Sequence, residues 1–291
     1  MGPVERQQAR HRGLAVRYLS PMEPIPAQVS ALLQDLTEAL PTLLGENLFG
    51  IYLYGSLTQG AFNPRHSDVD CIVLTERELT DTQFAQLDAW FTRAGVENPW
   101  VARLQISLMI RDEILTTTPR GNGLYQFGRL SRVGSDGNPI IWMNVLESGV
   151  VLLGPPPDSF VPPITSETLF AALAREVRYL REEIVERPDS EWRDVPKYRV
   201  YAVLTLCRIL YSHTHGTVVS KPKAAAWALR ALPDEWRQVI DEALAADARR
   251  TANSLDLNTI VRFIEFTDER VQASTNASRM ISSRERGVLP P

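Results

Sequence analysis

Five prolines lie within the eleven residues 154–164, GPPPDSFVPPI, near the middle of the 291-residue chain. Because proline fixes φ and lacks a backbone N–H, neither a helix nor a central strand can run through this segment. The segments before it alternate between apolar strand-like runs and amphipathic helices, whereas those after it all have helical periodicity. We therefore predict an α/β N-terminal half and an all-helical C-terminal half.

The N-terminal half alternates between helical and strand-like segments. Residues 1–24 are polar, basic and then broken by prolines, so we expect a flexible leader there. Helices are predicted at 26–44, where leucines recur at helical spacing, and at 81–95, which a glycine closes. Strands are predicted at NLFGIYLYGS (47–56), DVDCIVL (68–74) and VARLQISLMI (101–110), with further β structure in PIIWMNVLESGVVLLG (139–154).

The C-terminal half has helical periodicity that is broken at Gly216 and Pro233. We place the two domains at 25–158 and 159–278 and expect a flexible tail at 279–291. The predicted helical segments are SETLFAALAREVRYLREEIVER (166–187), KYRVYAVLTLCRILYS (197–212), KAAAWALRAL (223–232), DEWRQVIDEALAADARR (234–250) and LNTIVRFIEFTDERVQ (257–272).

The composition argues against several classes of protein. A net charge of −4 and a pI near 5.7 disfavour broad nucleic-acid binding, which needs many basic side chains facing phosphates. Cys71 and Cys207 lie in apolar runs, as buried free thiols do, and no Cys/His spacing indicates zinc. No apolar run could span a membrane and no signal peptide is evident. We expect a cytoplasmic monomer that binds neither nucleic acid nor membrane.

Two carboxylates and a Gly-Ser turn occur together in LYGSLTQGAFNPRHSDVDCIVL, residues 53–74. Asp68 and Asp70 are two apart on a predicted strand, so both side chains point to one face. Neighbouring carboxylates repel, and a divalent cation such as Mg²⁺ removes that cost. Gly55 permits an unusual turn, and Ser56 with nearby backbone N–H groups could hold phosphate. Each feature alone is also typical of a solvated strand end or an ordinary turn, but together they favour phosphoryl or nucleotidyl transfer.

The segment YGSLTQGAFNPRHSDVD resembles the Gly-Ser…Asp-x-Asp signature of the polymerase-β-like nucleotidyltransferase superfamily. RLQISLMIRDEI, YQFG, VVLLGPPPDSFV, VLTLCRILYS and KPKAAAWALRALPDEWRQVIDEAL are similar, in order and spacing, to the aminoglycoside 3''-adenylyltransferases of the streptomycin/spectinomycin type. The similarity covers roughly residues 45–275. It implies a nucleotidyltransferase domain with a mixed sheet and flanking helices, followed by a helical bundle.

The resemblance also implies a nucleotide site. Asp68 and Asp70 stand where the family holds Mg²⁺, with ATP as the nucleotide substrate and a small-molecule acceptor in the cleft between the domains. The other positions that match the family's nucleotide contacts are Gly55, Ser56 and Ser67 in the first domain, and Arg208 in LTLCR and Lys221 in SKPKAAAW in the second.

The sequence itself also singles out Arg208. This arginine lies beside Leu204 and Tyr211 on the apolar face of its predicted helix, not opposite that face. A charge in such surroundings needs a partner. The partner is either a nucleotide phosphate, as the resemblance implies, or a carboxylate in a structural salt bridge.

The acceptor half departs from the family pattern. The family's catalytic glutamate on the third strand corresponds to Gln105, whose amide cannot take a proton at neutral pH. A polycationic aminoglycoside needs carboxylates in its site. The family's drug-site tryptophan, acidic residue and histidine correspond to Leu130, Tyr198 and Tyr201, while Glu191 and Asp194 in PDSEWRDVP are alternative carboxylates.

Two functions fit these observations. The first is a Mg²⁺-dependent nucleotidyltransferase that moves AMP from ATP to a hydroxyl of a small molecule. The second is a nucleotide-binding regulatory protein with little or no transfer activity, because the phosphate half is retained and the acceptor half is altered. A third interpretation treats Gln105 as an introduced replacement of glutamate in an active enzyme.

Overall fold

The computed structural model of the protein describes residues 25–116, 122–132, 137–249 and 255–285. The expected leader, 1–24, and residues 286–291 of the expected tail lie outside these ranges. The chain divides into two compact units between Pro163 and Ile164, within the proline-rich segment.

The first unit combines helices with a six-stranded sheet. Its helices are α1 (Ala27–Leu44), α2 (Asp81–Glu97) and α3 (Pro139–Ser148), and its strands are β1 (Leu48–Tyr54), β2 (Val69–Thr75), β3 (Leu104–Ile110), β4 (Gly123–Gln126), β5 (Arg129–Ser131) and β6 (Val150–Leu153).

The sheet is mixed and has the order β5-β4-β3-β2-β1-β6. The β2–β3 pair is parallel and the other four pairs are antiparallel. Parallel neighbours require a crossover connection, which α2 supplies here. Consequently β2 and β3 begin at the same end of the sheet, and this end carries Asp68, Asp70 and Gln105.

Side chains of β1 alternate between two apolar layers, as expected of a strand covered on both faces. Ile51 and Leu53 belong to the core that also contains the buried side of α1. Tyr52 points the other way and contacts Trp142 of α3 and Phe160 of the proline-rich segment, with ring centroids 6.5 Å and 5.6 Å away.

The β structure predicted for residues 139–154 is wrong in its first part. Residues 139–148 form helix α3, and only Val150–Leu153 form a strand, β6. Asn138 caps the helix by accepting a hydrogen bond from the Ile140 N–H at 3.0 Å, and Pro139 occupies the first turn, where its missing N–H costs nothing.

All regular secondary structure in the described residues of the second unit is helical. Its helices are α4 (Ser166–Arg181), continued by a π-helical turn at Glu182–Glu186, then α5 (Glu191–Asp194), α6 (Pro196–His215), α7 (Lys221–Ala231), α8 (Arg237–Arg249) and α9 (Leu257–Glu285). The last helix extends into residues 279–285, the first part of the expected tail.

Helix α6 is the centre of the second unit. It packs against α4, α7, α8 and α9, and ten of its side chains, from Val200 to Ser212, are buried. The predicted α/β domain with a mixed sheet and flanking helices, followed by a helical bundle, is therefore confirmed. None of the helices in the described residues is both long and apolar enough to cross a bilayer.

Candidate active site

The Gly-Ser turn lies directly beside Asp70. Strand β1 ends at Tyr54, which is paired with Asp70 across the β1–β2 ladder. Gly55 then turns the chain with φ of +81°, a left-handed conformation that suits glycine. A Cβ atom on Gly55 would lie 3.0 Å from the carboxyl carbon of Asp70 and closer still to its Oδ2. Glycine is thus required here by both backbone conformation and space.

Asp68 and Gln105 are joined by a hydrogen bond. The amide Nε2 of Gln105 donates to Oδ2 of Asp68 at 3.1 Å. In the parallel β2–β3 register Gln105 is paired with Asp70, while Asp68 is the residue immediately before β2. The three side chains are each half-buried. The structure therefore brings together the two predicted metal ligands and the residue at the position of the family's base.

Ser67 is held by the loop that precedes the aspartates. Its hydroxyl oxygen accepts the backbone N–H of Asn63 at 2.9 Å, so its own O–H remains able to donate. The guanidinium of Arg103 donates to the carbonyl oxygens of Pro64, at 2.7 Å, and Ser67, and lies 4.1 Å from the ring centroid of Trp100. These contacts fix the approach of the chain to Asp68. Sequence reasoning missed this positioning role of Arg103.

Unlike Ser67, Ser56 has a hydroxyl without a hydrogen-bond partner in the described residues. Ser56 is half-buried in the 3₁₀ turn 55–57, and its backbone carbonyl accepts the Ala61 N–H at 3.0 Å. Within the part of the chain that the structure describes, its hydroxyl makes no hydrogen bond. The hydroxyl is therefore available to a phosphate oxygen.

Asn144 is a site residue that sequence reasoning missed. This buried side chain on α3 accepts the Gly55 N–H through Oδ1 at 3.1 Å, and Ser148 donates to the same oxygen at 3.3 Å. The turn beside Asp70 is thereby tied to α3. A lone asparagine in the apolar run PIIWMNVLES was the available signal, because a buried amide needs hydrogen-bond partners.

The donor set fits a hard divalent cation. Two carboxylates lie beside a turn that has no room for a side chain, and oxygen ligands of this kind suit Mg²⁺, which commonly takes one or two carboxylates plus substrate phosphates. In the described ranges no group of three or more His, Cys, Asp or Glu side chains could hold a metal ion. A cation here would therefore need further ligands from a substrate.

In the second unit, Arg208 occupies the position that its sequence pattern predicts. Arg208 is half-buried on α6, and its neighbours on the same helix, Leu204, Cys207 and Leu210, are buried. Among the residues that the structure describes, none forms an ion pair, hydrogen bond or ring contact with it. A half-buried cation without an internal partner suits an anionic ligand.

The structure brings Lys221 together with Tyr201, although the sequence assigned them to different substrates. Lys221 is the first residue of α7, and its Nζ lies 4.7 Å from the ring centroid of Tyr201. Trp192 of α5 stacks on Tyr198, with centroids 5.0 Å apart, and meets Tyr201 edge-on at 5.6 Å. Tyr198 and Tyr201 are thus parts of one aromatic cluster around Trp192, and Tyr201 is 41% exposed.

An open pocket of about 590 Å³ adjoins this cluster. Trp192 forms part of its wall, and Glu191, one of the alternative carboxylates, is exposed there. Asp194 is exposed on α5 but does not line the pocket. The other acidic side chains in the wall are Glu183, Glu186 and Asp189.

Leu130, the third acceptor candidate, belongs to the hydrophobic core of the first unit. It is 7% exposed and is paired with Tyr125 across the β4–β5 hairpin, so little of its surface is accessible to a ligand. Phe127, at the turn of the same hairpin, is instead 76% exposed.

Comparison with known protein families matches both units. Residues 33–114 match the model of the nucleotidyltransferase domain, and residues 159–270 match the C-terminal domain of aminoglycoside adenylyltransferase. The two matches occur in the order of the two units and include all of the site residues predicted from the sequence except Leu130.

Individual relatives agree with the family models. The chain is 26% identical over 264 residues to an aminoglycoside (3'') (9) adenylyltransferase of Shigella flexneri, covering 84% of this chain and 96% of the relative. It is 25% identical over 215 residues to a spectinomycin 9-adenylyltransferase of Staphylococcus aureus, covering 68% and 77%. The crystal structure of the spectinomycin adenyltransferase AAD(9) from Enterococcus faecialis, with ATP and spectinomycin, has the same fold, with a TM-score of 0.65 at 17% identity over 84% of this chain and 98% of that chain.

Proposed function

Because this chain belongs to the aminoglycoside adenylyltransferase family, we propose that it is a Mg²⁺-dependent enzyme that moves AMP from ATP to a hydroxyl of a small molecule. The observation that carries the proposal is the turn at Gly55, which has no room for a side chain because the Asp70 carboxylate lies against it. A turn of this kind lets backbone approach phosphate next to a carboxylate pair.

In the proposed reaction the acceptor hydroxyl oxygen forms a bond to the α-phosphorus of ATP, the bond from that phosphorus to the bridging oxygen breaks, and pyrophosphate leaves. Asp68 and Asp70 hold the divalent cation, which when bound neutralises charge on the phosphates. The hydroxyl proton passes to water, because the Gln105 amide has no basic site at neutral pH.

We propose that the remaining residues bind and orient ATP. Ser56 offers a hydroxyl that is otherwise unused in the described residues, and Ser67 offers the O–H that its bond to Asn63 leaves able to donate. Arg208 and Lys221 supply positive charge for the triphosphate. Support for Arg208 is its half-buried position without an internal partner among the described residues, whereas support for Lys221 is the family match.

The acceptor is proposed to be a hydroxylated small molecule that contacts the second unit near Tyr198 and Tyr201. The acidic pocket beside Trp192 offers carboxylates that suit an amine-bearing acceptor. Leu130 is proposed to affect the acceptor site only indirectly, through the packing of the β4–β5 hairpin in the core. The acceptors named for the relatives, aminoglycosides and spectinomycin, are therefore the first compounds to assay.

Pyrophosphate release tests this proposal. ATP, CTP, GTP and UTP are each incubated with Mg²⁺, the protein and spectinomycin, streptomycin or other hydroxylated acceptors. We expect acceptor-dependent release with ATP. Binding of ATP without release for any acceptor would favour the alternative, a nucleotide-binding regulatory protein, which no relative described above supports.

A further inference from the structure

A row of polar side chains crosses one face of the sheet, from the carboxylate pair to the edge strand β5. Asp70 is the register partner of Gln105 across β2 and β3, and Gln126 is the partner of Arg129 across β4 and β5. Continuation of the β3–β4 register by one residue beyond its last pair places Gln105 opposite Gln126. Register partners in adjacent strands share a face of the sheet, so these four side chains form one row.

The row lies on the face opposite the hydrophobic core of the first unit. Each of its members is followed or preceded along its strand by a residue of that core, namely Cys71, Ile106, Tyr125 and Leu130. Successive strand residues point to opposite faces, so the row faces away from the core. Three of its members are half-buried and Arg129 is exposed. The row is therefore accessible to a ligand that is bound beside the carboxylate pair.

Arg129 is the cationic end of this row. Its guanidinium forms no ion pair, hydrogen bond or ring contact with any residue that the structure describes. Adjacent strands lie about 4.8 Å apart, so the Cα of Arg129 is roughly 14 Å from that of Asp70 across three strand spacings. At this distance Arg129 can bind a group of a substrate that extends away from the reacting atoms, but not the reacting atoms themselves.

The position of β5 in the sheet identifies the substrate that Arg129 faces. The Gly-Ser turn, where the phosphates are proposed to bind, follows β1, and β1 lies on one side of β2. Strands β3, β4 and β5 lie on the other side of β2. In the proposed reaction the phosphates occupy the β1 side, which leaves the side of β3 to β5 to the acceptor.

The turn that precedes Arg129 is strained and exposed. Phe127 and Gly128 connect Gln126 to Arg129, and Phe127 has a φ of +54° while 76% of its surface is exposed. A bulky residue in the left-handed region is uncommon, and little burial of the ring offsets its cost here. Backbone outliers of this kind cluster at ligand sites. The conformation of the hairpin is thus a second observation, independent of charge, that favours a ligand contact at this end of the row.

We propose that Arg129 is a specificity-determining residue that selects hydroxylated acceptors carrying a carboxylate or phosphate group. Its guanidinium pairs with that anionic group, and the neighbouring Gln126 amide can donate an N–H to it. Repulsion disfavours an acceptor with positive charge at the same place. The inference rests on the proposed function for the site of transfer, and it adds an anionic group to the amine-bearing acceptor described above.

Ligand-observed NMR with matched sugars tests this selection. Glucose is compared with glucuronate, and glucosamine with glucosamine 6-phosphate, because each pair differs mainly in one anionic group. The full-length protein is first saturated with Mg²⁺ and a non-hydrolysable ATP analogue, so that the sugar phosphate cannot occupy the nucleotide's phosphate site. We expect the anionic member to bind at least about 3-fold more tightly in at least one pair, as one exposed charge-assisted contact can supply.

Three variants assign the preference to Arg129. Arg129→Lys keeps the charge and should keep the preference, Arg129→Gln should abolish it, and Arg129→Glu should reverse it. Arg93→Glu is the matched control, because Arg93 is exposed on α2 of the same unit, and it should retain the wild-type preference. The Arg129 variants should bind the ATP analogue within about 2-fold of the wild type, since roughly 14 Å exceeds the Debye length at physiological salt.

Equal affinities of the two members in both pairs, binding of neither included, would overturn the inference. An anionic preference that persists in Arg129→Glu, or one that Arg93→Glu loses equally, would also overturn it, since another residue or the net charge would then be the cause. A loss of analogue affinity above about 10-fold in Arg129→Glu would overturn it by assigning Arg129 to the nucleotide. Failure of the analogue to bind the wild type would count against the proposed function, and the glucose and glucuronate pair with nucleotide-free protein would then decide the role of Arg129.

Discussion

At the residue scale, the most constrained position is Gly55. Replacement by alanine places a Cβ against the Asp70 carboxylate and keeps a backbone φ of +81°, which costs an L-residue about 1–2 kcal/mol. We expect Gly55→Ala to lower the free energy of unfolding by at least that amount and to weaken ATP binding about 10-fold or more, because Asp70 must move. Denaturant titration and calorimetry with ATP and Mg²⁺ measure the two effects.

Gly60 provides the matched control for this substitution. It also has a positive φ, +66°, but a Cβ there would meet no atom within 4 Å. Gly60→Ala should therefore carry only the backbone cost, about 1–2 kcal/mol, and leave ATP affinity within about 2-fold of the wild type. If both variants lost ATP binding equally, the contact between Gly55 and Asp70 would not be the cause.

In the proposed reaction, the residue at position 105 also bears on how the acceptor loses its proton. A carboxylate at this position could act as a general base, and such bases contribute about 10²–10⁴-fold in rate. We therefore expect Gln105→Glu to accelerate AMP transfer to a hydroxyl acceptor, measured as the initial rate of pyrophosphate release at saturating ATP. Gln105→Met should not accelerate it. An unchanged rate in Gln105→Glu would show that proton removal does not limit the reaction.

The site residues differ in how far the sequence predicts them. Asp68, Asp70, Ser56 and Ser67 follow from a local signature whose chemistry is independent of distant structure. Asn144 reaches the Gly55 N–H from 89 residues away, and no local pattern specifies such a partner. Burial is equally non-local, which is why Leu130 could be aligned with a ligand-contact position yet lies in the core.

At the scale of elements, the β4–β5 hairpin has an unusual turn. Its two turn residues, Phe127 and Gly128, have φ values of +54° and +73°, as in the type I′ turns that favour Asn-Gly. Phe127 is 76% exposed, so its ring gains little from burial. We expect Phe127→Asn to stabilise the protein by about 1 kcal/mol and to raise the melting temperature by about 2–4 °C.

Thermal unfolding of Phe127→Asn and Phe127→Ala separates turn conformation from loss of the ring. Alanine has no preference for the left-handed region, so Phe127→Ala should give no gain in melting temperature. A lower melting temperature in Phe127→Asn would mean that the phenylalanine ring stabilises the fold.

In the second unit, His213 couples stability to pH. Burial and the positive charge of Arg270 lower the pKa of His213, and its Nε2 is buried with no hydrogen-bond partner among the described residues. The unfolded chain therefore binds more protons between the folded and unfolded pKa values, so stability rises with pH across that interval. We expect stability to fall as the pH drops below about 6.5, the ordinary pKa of histidine.

Urea unfolding at pH 5.5 and 7.5 measures this dependence. His213→Asn should reduce the difference in unfolding free energy between the two pH values, because the titrating ring is removed. His215→Asn, at an exposed position on the same helix, is the control and should retain the wild-type difference. A wild-type pH dependence that persists in His213→Asn would assign it to other groups.

Elements with a clear period could be predicted from the sequence, and those without one could not. The spacing of Leu32, Leu36 and Leu40 gives α1 directly, and all three are fully buried. Most of residues 139–154 are apolar, so the segment has no clear hydrophobic period that would distinguish a helix from a strand. The Asn138-Pro139 start was the better guide, because it satisfies the first-turn N–H groups of a helix.

At the scale of the whole molecule, the proline-rich segment and the two family matches give the same order of parts. The first unit contains the carboxylate pair, and the second contains a half-buried arginine without an internal partner among the described residues. Sequence could predict this division because the change from mixed to purely helical periodicity coincides with five prolines. The sequence is less informative about the acceptor, because loops and exposed side chains carry no periodic pattern.

If the two units cooperate in binding ATP, loss of charge in either should weaken the same complex. Arg208→Gln should lower ATP affinity by about 10- to 150-fold, the loss expected when a charge-assisted hydrogen bond worth about 1.5–3 kcal/mol is removed. Arg230→Gln, an exposed arginine on α7, is the control and should bind ATP as the wild type does. Equal ATP affinity of Arg208→Gln and the wild type would leave Arg208 with a structural role only.

Transfer of label from [α-³²P]ATP to an acceptor tests the central claim, that the carboxylate pair beside the Gly-Ser turn supports AMP transfer. The protein and Asp70→Asn are incubated with Mg²⁺ and spectinomycin, streptomycin or another hydroxylated acceptor. We predict labelled AMP on at least one acceptor with one pyrophosphate per transfer, and a rate at least about 10²-fold lower in Asp70→Asn. Equal transfer by Asp70→Asn, or binding of ATP with no transfer to any acceptor, would contradict the claim.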